Sequence, residues 1–187
     1  VWIPLCMMVH PLVMAVVKAR GFSYATVQLG ISATESNAKY VADIFENIRL
    51  DEDFEYWAYT CGHIKDKESS NIIQFKLNYP QRRLLYCIEV EHRWKGKPIR
   101  INVLKARQWG GSTLIHFYFD WMQVRKFENC NSVIVADIEG QARNIRGMFT
   151  RMAKQYPKEK GTLTLVPYEG STSTRIIKER NCIISVG

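Results

Sequence analysis

The sequence predicts an α/β protein with a parallel sheet flanked by helices, and three observations carry that expectation. A short β-branched run at residues 99–104 (IRINVL) precedes a loop with two adjacent glycines and a helical stretch over 112–127. A second apolar run at 132–136 (SVIVA) and a helical stretch over 139–156 follow. Strand, loop, helix, strand, helix is the order of a βαβ unit, whose crossover helix makes its two strands parallel. With 187 residues, 47% of them hydrophobic and 24% charged, the chain suits one domain, and a disordered tail or collagen-like chain is excluded.

The elements follow in chain order. Residues 1–17 are apolar except for Pro4, His10 and Pro11, and the charges of Lys18 and Arg20 come after the run. The run is short for a membrane span, two prolines interrupt it, and a signal peptide carries its charges first. A buried or partner-covered segment is therefore expected, with a membrane anchor as the alternative. Residues 21–34 are small and polar, as in a loop. Over 36–50, Ala38, Val41, Ile44, Phe45 and Ile48 form one helical stripe. Asp51, Glu52 and Asp53 suit the start of a second helix carrying Phe54, Trp57, Ala58 and Cys61, because negative charge there opposes the helix dipole. Residues 72–75 read as a short strand. Pro80 suits the first turn of a helix over 81–90. In the helix over 139–156, Ala142, Ile145, Phe149 and Met152 point inward and Pro157 stops it. Residues 174–177 and 182–186 read as a hairpin around Glu179, Arg180 and Asn181.

Charge is distributed unevenly. Residues 35–70 hold nine acids against four bases, whereas residues 71–187 hold 20 bases against nine acids, a net of +11 within an overall +8. A half so basic attracts phosphate, on a nucleotide or a nucleic acid. The five cysteines and four histidines are dispersed without a C-x-x-C pair, which argues against a disulfide framework or zinc knuckle and for a reducing compartment. Cys61 and His63 lie close together, but two ligands do not make a metal site.

The loop Lys105-Ala106-Arg107-Gln108-Trp109-Gly110-Gly111-Ser112-Thr113 sits between the expected strand and helix. Backbone N–H groups at a helix start form an anion site, and glycine lets phosphate oxygens approach. Against the pattern G-x-x-x-x-G-K-[ST], Gly110 takes the second glycine and Ser112 the hydroxyl position that ligates Mg²⁺. Gly111 stands where lysine is expected and Lys105 where the first glycine is, so the charge enters from the other arm of the loop. The competing explanation is a Gly-Gly turn with a serine cap.

At these residues the chain resembles the large subunit of phage terminases, the ATPases that drive DNA into capsids. KARQWGGST is similar to their deviant Walker A loops, some of which carry the lysine at the loop start, as Lys105 does. FKLNYPQ at 75–81 looks like the family's adenine-reading motif, Asp53-Phe54-Glu55-Tyr56-Trp57 like the helix before it, and SVIVAD with Gln141-Ala142-Arg143 like the strand and helix after the loop. The hairpin ending at Gly187 looks like the stretch before Walker B. The resemblance covers about residues 53–187, with 1–52 as an N-terminal extension.

It implies a P-loop NTPase-type fold, here the N-terminal part of an ATPase domain that stops short of Walker B. It implies ATP and Mg²⁺ as cofactors, with Gln81, Lys105, Arg107, Gln108, Trp109, Gly110, Gly111, Ser112 and Thr113 around the nucleotide. Ser112 would hold Mg²⁺, Lys105 the β/γ-phosphates, and Arg107 a phosphate or transition-state charge; these last two are the catalytic candidates. Trp109 either packs on the loop or touches nucleotide. The implied partners are double-stranded DNA, a portal protein and a small terminase subunit, in a ring motor at the procapsid in the bacterial cytoplasm, with no membrane. Asp137 and Glu139 read as strand-end and helix-start residues rather than Walker B. Arg143, Arg146, Arg151 and Lys154 form either a DNA-facing or a solvated basic helix face. Another P-loop motor of helicase type, and a non-catalytic nucleic-acid-binding module with a degenerate loop, stay open as alternatives.

Overall fold

The computed structural model describes residues 35–66, 69–93, 95–96, 98–104 and 109–187. The apolar N-terminal run and residues 105–108 lie outside them. The chain divides into two compact units, Val1–Trp57 and Ala58–Gly187.

In the first unit, α1 (Glu35–Glu52) is followed by α2 (Phe54–Cys61), which the unit boundary crosses. The break falls at Asp53, whose carboxylate accepts the Tyr56 N–H at 3.0 Å, so an acidic side chain satisfies an orphan donor of the second helix. Arg49 closes the same corner, 3.9 Å over the Tyr56 ring and 3.4 Å from Asp53. Ile48, Leu50, Phe54 and Trp57 are buried.

The second unit is mixed α/β. A two-stranded hairpin pairs β1 (His63–Lys65) with β2 (Ile72–Gln74). Helix α3 (Tyr79–Tyr86) begins with Pro80 in its first turn, as expected, and runs on into wider π-helical turns over Cys87–Arg93. Helix α4 (Gly111–Trp121) likewise ends in π-helical turns over Met122–Lys126. Strand β3 (Asn131–Ile134) leads to α5 (Glu139–Gln155), then β4 (Leu165–Pro167), β5 (Thr174–Ile177) and β6 (Cys182–Val186). The sheet order is β3-β6-β5-β4.

The sheet corrects the sequence expectation in two respects. Only β3 and β6 run parallel; β5 joins β6 and β4 antiparallel, so the sheet is mixed rather than parallel. The hairpin places β6 in the middle, which no βαβ count reveals. Residues 99–104, expected as a buried strand, form no strand, and Ile99, Ile101, Val103 and Leu104 are exposed. β-Branched composition favours an extended backbone, but a strand exists only where a neighbour takes its hydrogen bonds. Strand β3 also departs from the buried type, because Val133 and the following Val135 are exposed.

The core gathers where the helices meet. Phe117 and Trp121 of α4 are fully buried, and Phe75 stacks on Phe117 at 4.7 Å. Phe149 and Met152 of α5 and Ile184 and Val186 of β6 are also buried. Each such side chain contributes about 1.5–3 kcal/mol on leaving water. The packing fixes the start of α4, where the glycine pair lies.

Candidate anion-binding cleft at the start of helix α4

Helix α4 starts without a side-chain cap. Its N-cap is Gly110, in the left-handed region at φ 82° and ψ 19°. Ser112, which the sequence suggested as a cap, is exposed at the second helical position with its hydroxyl open. The first N–H groups of a helix have no partner within it, so this end presents donors and the positive end of the helix dipole.

Two side chains from α3 hold the loop in place. Gln81 Nε2 donates to the Gly110 carbonyl oxygen at 2.9 Å across 29 residues. Asn78 Nδ2 donates to the Trp109 carbonyl oxygen at 3.0 Å. The same two residues form the capping box of α3: Gln81 N–H donates to Asn78 Oδ1 at 3.0 Å and Asn78 N–H to Gln81 Oε1 at 2.9 Å. One N–H and one lone pair of the Gln81 amide are thus engaged, and the residue is only 3% exposed. Asn78 falls within the 75–81 segment singled out in the sequence, but its capping role is the part not read there, although N-x-x-Q before a helix is a readable capping signature.

Both glycines are explained by contact. A Cβ on Gly110 would fall 2.6 Å from Gln81 Nε2, and one on Gly111 would fall 2.7 Å from the Trp109 ring. The Trp109 ring therefore lies against Gly111, and Trp109 also lines the cleft. Gly111 is buried and Thr113 partly so. Thr113 Oγ1 lies 4.0 Å from Met148 Sδ, which joins the first turn of α4 to α5. Lys105, Arg107 and Gln108 belong to the segment outside the described residues, so the structure gives no position for the two catalytic candidates.

These groups line a cleft of about 610 Å³. Its lining includes Lys65, Asp66, Lys76, Asn78 and Gln81 together with residues 109–113, Met148 and Arg151. Lys65, Lys76 and Arg151 face a single carboxylate, Asp66, among the described lining residues. Asp66 Oδ2 accepts from the Ser69 hydroxyl at 2.6 Å. The surplus of positive charge and the open helix start suit an anion of more than one charge. Of the cleft residues, Lys65 and Met148 carried no signal in the sequence, because nothing in their local pattern says which way they face.

The basic residues of α5 do not act as one face. Arg143 pairs with Glu139 at 3.2 Å, Arg146 donates to the Val186 carbonyl oxygen at 3.1 Å, Arg151 lines the cleft, and Lys154 is exposed. Asp137 is exposed beyond β3 and Glu139 opens α5, as expected of a strand-end and a helix-start residue.

A second cavity of about 580 Å³ lies on the other side of Gly111 and Ser112, with mainly apolar walls that include Leu84, Ile115, Phe119, Val133 and Ile145. His116 lines it, 98% buried and 3.7 Å from the equally buried Asp120. Neither side chain has a hydrogen-bond partner among the described residues. Burial pushes the imidazole down to about 4 and the Asp120 carboxyl well above its usual range. Each group thus resists its charged form.

His63 Nδ1 lies 3.2 Å from the Cys61 carbonyl oxygen. Among the described residues no group of three or more His, Cys, Asp or Glu is placed to hold a metal ion, and no helix is long and apolar enough to cross a membrane. No protein-family model matches the chain, and no curated protein matches it.

Proposed function

We propose that the cleft binds the phosphate chain of ATP with Mg²⁺, as the nucleotide site of a terminase-like DNA-packaging ATPase with a P-loop NTPase-type fold. The observation that supports this most is the Gln81–Gly110 bond. It joins the two segments that the resemblance assigns to adenine and to phosphate, against an uncapped helix start. Gly110, Gly111 and Ser112 supply the nest, with Thr113 beside them, and Ser112 also supplies the hydroxyl for Mg²⁺. Lys105 approaches the β/γ-phosphates from the far arm of the loop, with Arg107 and Gln108 beside it. Gln81 reads the adenine edge with its second N–H and second lone pair.

The groups present fit a Mg–nucleotide: an exposed hydroxyl at a helix start, cations around it, and Asp66 as a nearby carboxylate. Bound Mg²⁺ would neutralise phosphate charge and orient the chain for attack. Hydrolysis coupled to translocation of double-stranded DNA follows from the resemblance, as do the portal and small-subunit partners.

Calorimetric titration of MgATP into the wild-type chain and Lys105→Ala tests the reading. Saturable binding that weakens about 10-fold or more in the variant supports it, since a hydrogen bond to a charged group is worth about 1.5–3 kcal/mol. Equal affinity in both overturns the displaced-lysine assignment. Salt-dependent DNA binding with no ATP binding would instead identify a non-catalytic module, in keeping with the net +11 of residues 71–187.

A further inference from the structure

We propose that Arg151 of α5 contacts the phosphate chain in the cleft beside the glycine loop, and that Gly147 leaves room for its guanidinium. The proposal rests on the nucleotide-binding reading and adds to it a residue from a helix outside the loop. Arg151 lines the cleft together with Gly111 and Ser112. Its Nε is enclosed and has no hydrogen-bond partner among the described residues. The other arginines of the same helix are served differently: Arg143 meets Glu139, and Arg146 meets the Val186 carbonyl oxygen. An enclosed guanidinium N–H without an acceptor is costly, and phosphate oxygens relieve it through charge-assisted, often bidentate hydrogen bonds.

Gly147 stands one turn before Arg151, in the middle of a 17-residue helix. Glycine is unfavourable there and calls for a packing reason. Side chains on a helix lean toward its N-terminus, so Arg151 lies back over Gly147. A Cβ on Gly147 would stand 3.4 Å from Arg151 Nη1, in van der Waals contact with the guanidinium. The next residue, Met148, touches Thr113 of the first turn of α4, so this turn of α5 adjoins the helix start. Lys65 and Lys76, which line the same cleft, favour a ligand with more than one negative charge over a single carboxylate.

The test measures MgATP affinity, and displacement of ATP by pyrophosphate, for wild type, Arg151→Ala, Arg151→Lys, Gly147→Ala and Arg143→Ala. Arg151→Ala should lose about 10- to 100-fold in affinity for both ligands, the range for a hydrogen bond to a charged group. Arg151→Lys should recover part of that loss, which a packing role would not predict. Gly147→Ala should fold with an unchanged or higher melting temperature and bind no more tightly than wild type. Arg143→Ala should match wild type. Wild-type affinity in Arg151→Ala, or equal losses in the alanine and lysine variants, would overturn the role of Arg151 while leaving the nucleotide site standing. Absence of MgATP binding by wild type would overturn both.

Discussion

Gly110 carries the tightest conformational requirement of the site. Its backbone is left-handed, and a Cβ would collide with the Gln81 amide. Gly110→Ala should therefore cost about 1–3 kcal/mol, from backbone strain and the displaced amide together, measurable by urea denaturation. Gln81→Ala should cost a similar 1–3 kcal/mol, because it leaves the partly buried Gly110 carbonyl oxygen without that donor and removes half of a capping box. The glycines and Gln81 could be picked out from the sequence as residue types at suggestive places. That one amide serves both the helix cap and the loop could not, because the bond spans 29 residues and no local pattern encodes it.

The buried pair His116 and Asp120 gives a prediction of pH dependence at the same scale. Burial holds the folded imidazole at about 4, below its ordinary 6.5. The unfolded chain then binds the proton first, so the stability due to neutral His116 is lost as pH falls from about 6.5 toward 4. The Asp120 carboxyl is raised above 3.8, so its protonated form favours folding at low pH and that stability is lost as pH rises. Asp120→Asn should accordingly stabilise the protein at pH 7, with the advantage shrinking as pH approaches 4. His116→Phe should remove the loss between pH 6.5 and 4. A parallel shift of the variant and wild-type denaturation midpoints at every pH would contradict both statements.

At the scale of elements, strand β6 is the keystone, paired with β3 on one side and β5 on the other. Ile184→Ala should cost about 2–5 kcal/mol, since a 2%-exposed side chain leaves a cavity between sheet and helices. Val133→Ala on the outer strand, where the side chain is exposed, should cost far less, and thermal unfolding of the two variants checks the contrast. Periodicity made α5 and the β5–β6 hairpin legible, because both bury one face at a regular interval and end at Pro157 or at the turn before Cys182. It misled for residues 99–104, whose β-branched composition matches a strand that the sheet does not contain. Sequence reports the preference of a segment for extended backbone, whereas pairing depends on a partner edge elsewhere in the chain. The π-helical continuations of α3 and α4 were equally hidden, since a small change of helical period hardly moves an apolar stripe.

At the scale of the whole molecule, the charge division noted in the sequence acquires a structural meaning. The basic surplus of residues 71–187 places Lys76 and Arg151 at the cleft, while Arg146 braces α5 against a β6 carbonyl. Counting charges showed that an anionic partner was expected, but only the fold separates the cations that line a cleft from those that tie elements together. The proposed nucleotide site draws on α3, the loop before α4, and α5, so it needs the whole second unit to be folded.

Amide hydrogen exchange of the intact chain, with and without saturating MgATP, tests the central claim most directly. Binding at the start of α4 predicts slower exchange at Gly111, Ser112 and Thr113, whose N–H groups would point at phosphate. Exchange at these three residues that stays unchanged under saturating MgATP would contradict the account.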